Sequence, residues 1–564
     1  MKRILSLLLI VILMYGMTGC KRTVPVPESM YHTELSFSEL ADSGIDAALE
    51  IARAKELLFR IERGELTGLH AQETLDARTD ALRALQTDAA IAYVRYCLDV
   101  TNEGNKQAYE SLAKEIDVLS CILVDAALLL SKEPSLKDVY DAETVEALKR
   151  ADMLSDPSVI SLFERERTLV GAYEALSGTL SVERNGRAWT GDEILSDPAL
   201  SAEDFDALYE AYLDLFHTKA SEIFLKLIRL RREIADRLGY DSYADYRYAC
   251  YGRTYTPEDA ARLSERVQKE LVPLLTEMRA DFYGAAQRLY GAAFAQAPTM
   301  ERIGSAVSAT LPALSEPWDY MLSHDMIDLG TDFDRMPGSF TTYFDAYGAP
   351  FLFSSWTGGF DVIPTVVHEF GHYAAFFLNG GAIRVENSLD LAEIDAQGLE
   401  LLIVLRYDTL YHDLSDAAEA AELFYALYTL ADGCAEDAFQ QFAYAQEEPT
   451  PARLDAEYAR LCTEYGLDTF GAEGRSWTQI LHTFQSPFYY ISYTTSMITA
   501  LELYVKGVED PDGAAKAYET ILMRDGAGFT ETLDAAGLRD PFAAETVGTL
   551  IRGLKTVRRN RMND

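Results

Sequence analysis

The chain has 564 residues, 48% of them hydrophobic, with 50 Lys and Arg against 90 Asp and Glu and a formal net charge of −40. That length exceeds the ~100 to 200 residues of one typical domain and allows a large core. The composition shows no Pro, Gly or Gln tract that would exclude folding, whereas the negative charge repels phosphate backbones and argues against nucleic acid as a partner.

In chain order, Lys2 and Arg3 precede an apolar run from Ile4 to Met14 that is too short to span a bilayer, the pattern of a targeting signal over residues 1–19. Met17-Thr18-Gly19-Cys20 resembles the lipobox of bacterial lipoproteins, which implies cleavage before Cys20, lipid on that thiol, and an extracytoplasmic protein held to a bacterial membrane by acyl chains alone. Residues 20–36, with Pro25 and Pro27, read as a tether. Amphipathic periodicity predicts helices over Ala47–Arg63, Thr74–Leu98, Glu203–Leu238 and Pro257–Leu289. Strand signals are sparse. The strongest is a hairpin across Gly178–Trp189, turning at Asn185-Gly186. Residues 336–360 read as irregular or strand-like. Beyond Cys20, five widely spaced cysteines lack the pattern of a disulfide framework or a metal knuckle and read as buried thiols. The fold class expected is all-α, one large bilobed helical body with a minor hairpin: an N-terminal helical region over 37–160, without a motif, and a main region over 161–564.

The chemistry lies in Val366-Val-His-Glu-Phe-Gly-His-Tyr. Asp361 can cap a helix here, Pro364 suits its first turn, and Gly380-Gly381 can stop it. Residues four apart share a helical face, so His368 and His372 can direct imidazole nitrogens at one Zn²⁺ while Glu369 stands beside a bound water. Catalytic zinc takes three protein ligands and leaves one position open. Ser388 can cap a following helix over Leu389–Tyr411, with Asp390, Glu393 and Asp395 in its first turns. Glu393 is the chosen third ligand, Glu386 the alternative, and Gln397 and Glu400 on the face of Glu393 can orient ligands.

Three blocks, Tyr347-Gly-Ala-Pro-Phe, Gly358-Gly-Phe-Asp-Val followed by His368-Glu-Phe-Gly-His, and Ala392-Glu-Ile-Asp-Ala-Gln-Gly-Leu-Glu400, together resemble the thimet oligopeptidase and oligoendopeptidase F family of zinc metallopeptidases. The segments Arg232–Tyr246, His482–Ser496 and Arg524–Asp540 extend the likeness over about residues 160 to 555. Tyr373 departs from the small residue usual there. The resemblance implies an almost wholly helical ellipsoid with a deep central channel, one zinc per chain held by His368, His372 and Glu393, and hydrolysis of short peptides. It also implies that His482, Tyr490 and Tyr493 face the scissile carbonyl. The function expected is a zinc endopeptidase acting on oligopeptides, with Glu369 as general base. The rivals are a dipeptidyl carboxypeptidase of the same family and a non-catalytic peptide-binding lipoprotein.

Overall fold

A computed structural model describes residues 32–292, 299–330, 332, 334–355, 362–380, 388–468, 473–524 and 527–561. Cys20, Asp361, Gly381 and Glu386 lie outside the described residues. Helices dominate, as expected, and the strands are few and short.

The predicted helices form with instructive differences. Ala47–Glu62, Gly68–Leu98 and Ala202–Arg237 match the periodic runs to within a few residues at most ends. The predicted Pro257–Leu289 helix is two, Pro257–Glu270 and Val272–Ala292. Pro273 lacks an amide hydrogen and crowds the carbonyl four residues back, so one continuous helix cannot pass through it. The helix predicted over Leu389–Tyr411 stops at Ile403, and a 3₁₀ turn separates it from a short helix at Tyr407–Tyr411.

The strands are β1 (Ser181–Arg184) and β2 (Arg187–Thr190), then β3 (Ile327–Gly330), β4 (Ser339–Phe344) and β5 (Ala349–Ser355). β1 and β2 are an antiparallel hairpin. Its turn residues Asn185 and Gly186 both have positive φ, 54° and 76°, the conformation that matches the right-handed twist of paired strands. The second sheet has order β3-β5-β4, with β3 parallel and β4 antiparallel to β5. Four further helices carry residues discussed below: α1 (Val362–Asn379), α2 (Leu389–Ile403), α3 (Ser415–Ala445) and α4 (Tyr490–Glu509).

The chain forms two compact units. Among the described residues, one contains Leu154–Thr276 and Tyr428–Thr494; the other contains residues 32–153, 277–427 and 495–561. In the first unit, Ile194, Leu208 and Tyr212 form a small core against which Val182 and Trp189 of the hairpin pack. In the second, the helices at Ala47–Glu62, Gly68–Leu98 and Glu103–Leu130 enclose a core that includes Leu57, Leu82, Leu85, Leu119 and Leu123. The five described cysteines are free, and four of them are buried.

Candidate metal centre

α1 carries His368, Glu369 and His372, and Gly380 with φ 57° follows its last residue, the left-handed ending common after a helix C-terminus. Ser388 caps α2 by accepting from the amide of Leu391. Between these two helices Gly371 is indispensable. A Cβ on it would meet the Asp395 carbonyl oxygen at 2.2 Å and the Ala396 Cα at 2.6 Å, so any side chain would push α1 and α2 apart.

That close approach brings the candidate ligands together. One donor atom each from His368, His372 and Glu393 lie within 4.8 Å of one another. His368 Nε2 is 3.7 Å from Glu393 Oε2, near the edge of roughly 3.3 Å in a tetrahedron with bonds of about 2.0 Å. The two imidazoles stand almost perpendicular at 84°, with centroids 5.1 Å apart. Each ring is oriented from behind. His368 Nδ1 lies 3.1 Å from Glu400 Oε2, and the His372 ring donates to the backbone carbonyl of Ala392.

The other acids of α2 are engaged elsewhere. Asp390 accepts from Thr495 Oγ1 at 2.5 Å, and Asp395 forms a buried bidentate pair with Arg524 at 2.6 and 2.8 Å. Gln397 accepts from Ser496 at 2.8 Å. Of the polar residues singled out on this helix, Glu393 and Glu400 therefore meet the histidines.

Electrostatics separates the two imidazoles. Burial, the charge of His368 and that of Arg524 push the His372 value down to about 3, leaving a neutral ring suited to ligation. Burial would lower His368 as well, but the hydrogen bond and charge of Glu400, with Glu393 and Glu369, outweigh it and raise the value to about 9. Burial raises Glu369 to about 7, opposed by His368 and by Thr341. The Thr341 hydroxyl on β4 lies 2.9 Å from Glu369 Oε2. Nothing in the local sequence marks Thr341, because strand β4 reaches the helix through tertiary packing. Tyr373 is fully buried and stacks on Phe370, so its bulk is absorbed by the core.

His482, Tyr490 and Tyr493 form a second cluster, in the first unit. The His482 ring lies 5.3 Å from Tyr490 and 6.2 Å from Tyr493, and the two tyrosine rings are 5.5 Å apart on the first turn of α4. Before them stands Phe488, buried with φ 64°, a conformation that costs a non-glycine residue about 1 to 3 kcal/mol. The surrounding structure fixes it. Gln440 accepts from the Phe488 amide at 2.6 Å, Arg253 donates to the Phe488 carbonyl at 2.6 Å and to Ser492 at 2.8 Å, and fully buried Arg231 joins Glu166 to the Phe484 carbonyl. Burial pushes His482 down to about 4. Burial, followed by the charges of Asp432 and Glu436, pushes the Tyr490 phenol up. Both groups are therefore neutral near pH 7, and the phenol keeps its proton for donation.

The fold has known counterparts. A protein assigned provisionally as oligoendopeptidase F superposes with a TM-score of 0.75 at 22% identity, covering 93% of this chain and 98% of its own. PZ peptidase A with an inhibitor gives 0.73 at 21% over 92% and 98%. A provisional oligoendopeptidase F from Bacillus anthracis gives 0.71 at 18% over 93% and 98%. The chain shares the fold of these structures. No protein-family profile and no curated protein sequence matches it.

Proposed function

We propose that this chain is a zinc metalloendopeptidase that hydrolyses short oligopeptides. The observation that carries the reading is the convergence of His368, His372 and Glu393, with Glu369 alongside, in a fold shared with proteins named as peptidases. Two imidazoles and a carboxylate are a donor set that suits catalytic zinc and leaves one position open. When bound, zinc would supply Lewis-acid polarisation of water and of the scissile carbonyl.

The chain's own groups do the rest. Glu369 takes the proton of the attacking water and returns it to the leaving amine, a role favoured by a carboxyl whose value burial has lifted to about 7. Thr341 holds the Glu369 carboxyl in place through its hydroxyl. We assign to Tyr490 and Tyr493, with His482 beside them, the donation of hydrogen bonds to the developing oxyanion that the family resemblance implies. The same resemblance underlies the restriction to short peptides and one zinc per chain. Among the described residues no helix is long and apolar enough to cross a membrane. Anchoring through lipid on Cys20, outside the cytoplasm, is part of the proposal and rests on the lipobox-like segment.

Mass-spectrometric mapping of cut sites in a random peptide pool, before and after chelation and zinc return, tests the reading. Internal cuts lost on chelation and restored by zinc are expected. Release of C-terminal dipeptides alone would assign the dipeptidyl carboxypeptidase, and no cleavage with retained peptide binding would assign the binding protein.

A further inference from the structure

Behind His368 the polar chain does not end at Glu400. The Glu422 side chain of α3, 6% exposed, shares a hydrogen bond with the Glu400 carboxyl. The Tyr407 hydroxyl donates to Glu422 Oε2 at 3.4 Å. The line His368–Glu400–Glu422–Tyr407 therefore joins four residues from four helical elements, all within the second unit.

We infer that Glu422 is a positioning residue for His368, acting through Glu400. Glu400 Oε2 is taken up in accepting from the His368 ring. A carboxyl in hydrogen-bond contact with a second carboxyl needs one hydrogen between them, and Glu422 is the member placed to supply it. Its surroundings favour that state: burial first, and then the neighbouring Glu400, hold the Glu422 carboxyl well above the usual carboxylate range. As a neutral acid, Glu422 donates to Glu400 while accepting from Tyr407. Glu400 is thereby fixed in the rotamer that receives Nδ1–H of His368, which leaves Nε2 directed toward Glu393. Groups that orient a ligand in this way are commonly worth tenfold to a hundredfold in metal affinity. A buried acid retained only for packing would have no such effect, and a residue of equal volume would replace it.

The inference rests on the metal-site reading above, and the experiment separates the two. Zinc affinity is measured by competition with a chromogenic chelator on the full chain, with secondary structure of the metal-free protein as a check on folding. Glu422→Val should weaken zinc binding about tenfold to a hundredfold. Glu422→Gln, whose amide still donates to Glu400, should recover affinity to within about threefold of the parent protein. In a cycle, Glu422→Val should add little to Glu400→Ala, because both break one chain of contacts. If the Val variant does not fold, Glu422→Met, closer in volume, is read the same way. Parent-like affinity in the apolar variant overturns the inference, and so does a loss that is fully additive with Glu400→Ala. Full zinc binding in His368→Ala, by contrast, would overturn the metal-site reading itself.

Discussion

Helices α2 and α3 both bury carboxyl groups, and the acids of α2 meet partners of a different kind from those toward the end of α3. On α2, Glu393 and Glu400 face the imidazole of His368, and Asp395 is closed by the guanidinium of Arg524. On α3, Glu436 is met by Thr483 and Gln440, and Asp437 by Tyr248 and Gln441, so that neutral groups make the direct contacts. The consequence is visible in their acidities. Burial raises Asp432 to about 7, and burial with the charge of Asp432 raises Glu436 to about 8. A buried acid is thus a candidate ligand, a counter-ion or a neutral hydrogen-bonding group according to the partner provided, and its position in the sequence alone does not say which.

The sharpest way to break this comparison is to neutralise an acid on the metal side. Glu369→Gln should keep fold and zinc but lose about a hundredfold to ten-thousandfold in kcat, the usual worth of a positioned general base. Metal content and turnover on one quenched peptide check it, and activity within about threefold of the parent would remove Glu369 from the mechanism. Next comes the counter-ion. Arg524→Met leaves Asp395 buried without its bidentate partner, and stability should fall by about 3 to 5 kcal/mol in the metal-free protein. Denaturant unfolding that shows a loss below about 1 kcal/mol would mean that Asp395 finds another partner. In the tyrosine cluster at the start of α4, Tyr→Phe at the proposed oxyanion donor, Tyr490 or Tyr493, should cost about a hundredfold to a thousandfold in kcat with KM little changed. If both single variants and His482→Ala keep parent kcat, the cluster serves packing alone.

What could be read from the sequence follows from how local each geometry is. His368, Glu369 and His372 occupy one helix, where a spacing of four fixes their common face, and Glu393 sits in the next helix behind a recognisable Ser388 cap. The Asn185-Gly186 hairpin was legible for the same reason. Thr341, Glu422 and Arg524 were not, because each reaches its partner across distant parts of the chain: Thr341 to Glu369, Glu422 to Glu400, Arg524 to Asp395. Strand β3 was missed too. Four residues, Ile327–Gly330, paired parallel to β5 leave too short a pattern to register. The partners of the α3 acids were not legible either, since periodicity reports which residues share a side and not what stands opposite them.

A pH series isolates the unusual half of the comparison. Glu436 is fully buried, with a carboxyl raised to about 8, against about 4.3 in an unfolded chain. Between those values the folded state holds a proton that the unfolded state has released, so stability falls as pH rises through this window. The slope contributed by one such group is at most about 1.4 kcal/mol per pH unit. Glu436→Gln keeps the shape and the hydrogen bonding of the neutral acid but cannot ionise, and it also removes a charge that would oppose ionisation of Asp432. Unfolding midpoints of the zinc-free protein at several pH values from 5 to 8 should therefore lie close to the parent's at the acid end and rise progressively above them toward pH 8. Parallel curves would show that Glu436 is ionised in the folded protein, with a cation or water compensating it, and the contrast between α2 and α3 would then be one of partner identity and not of charge state.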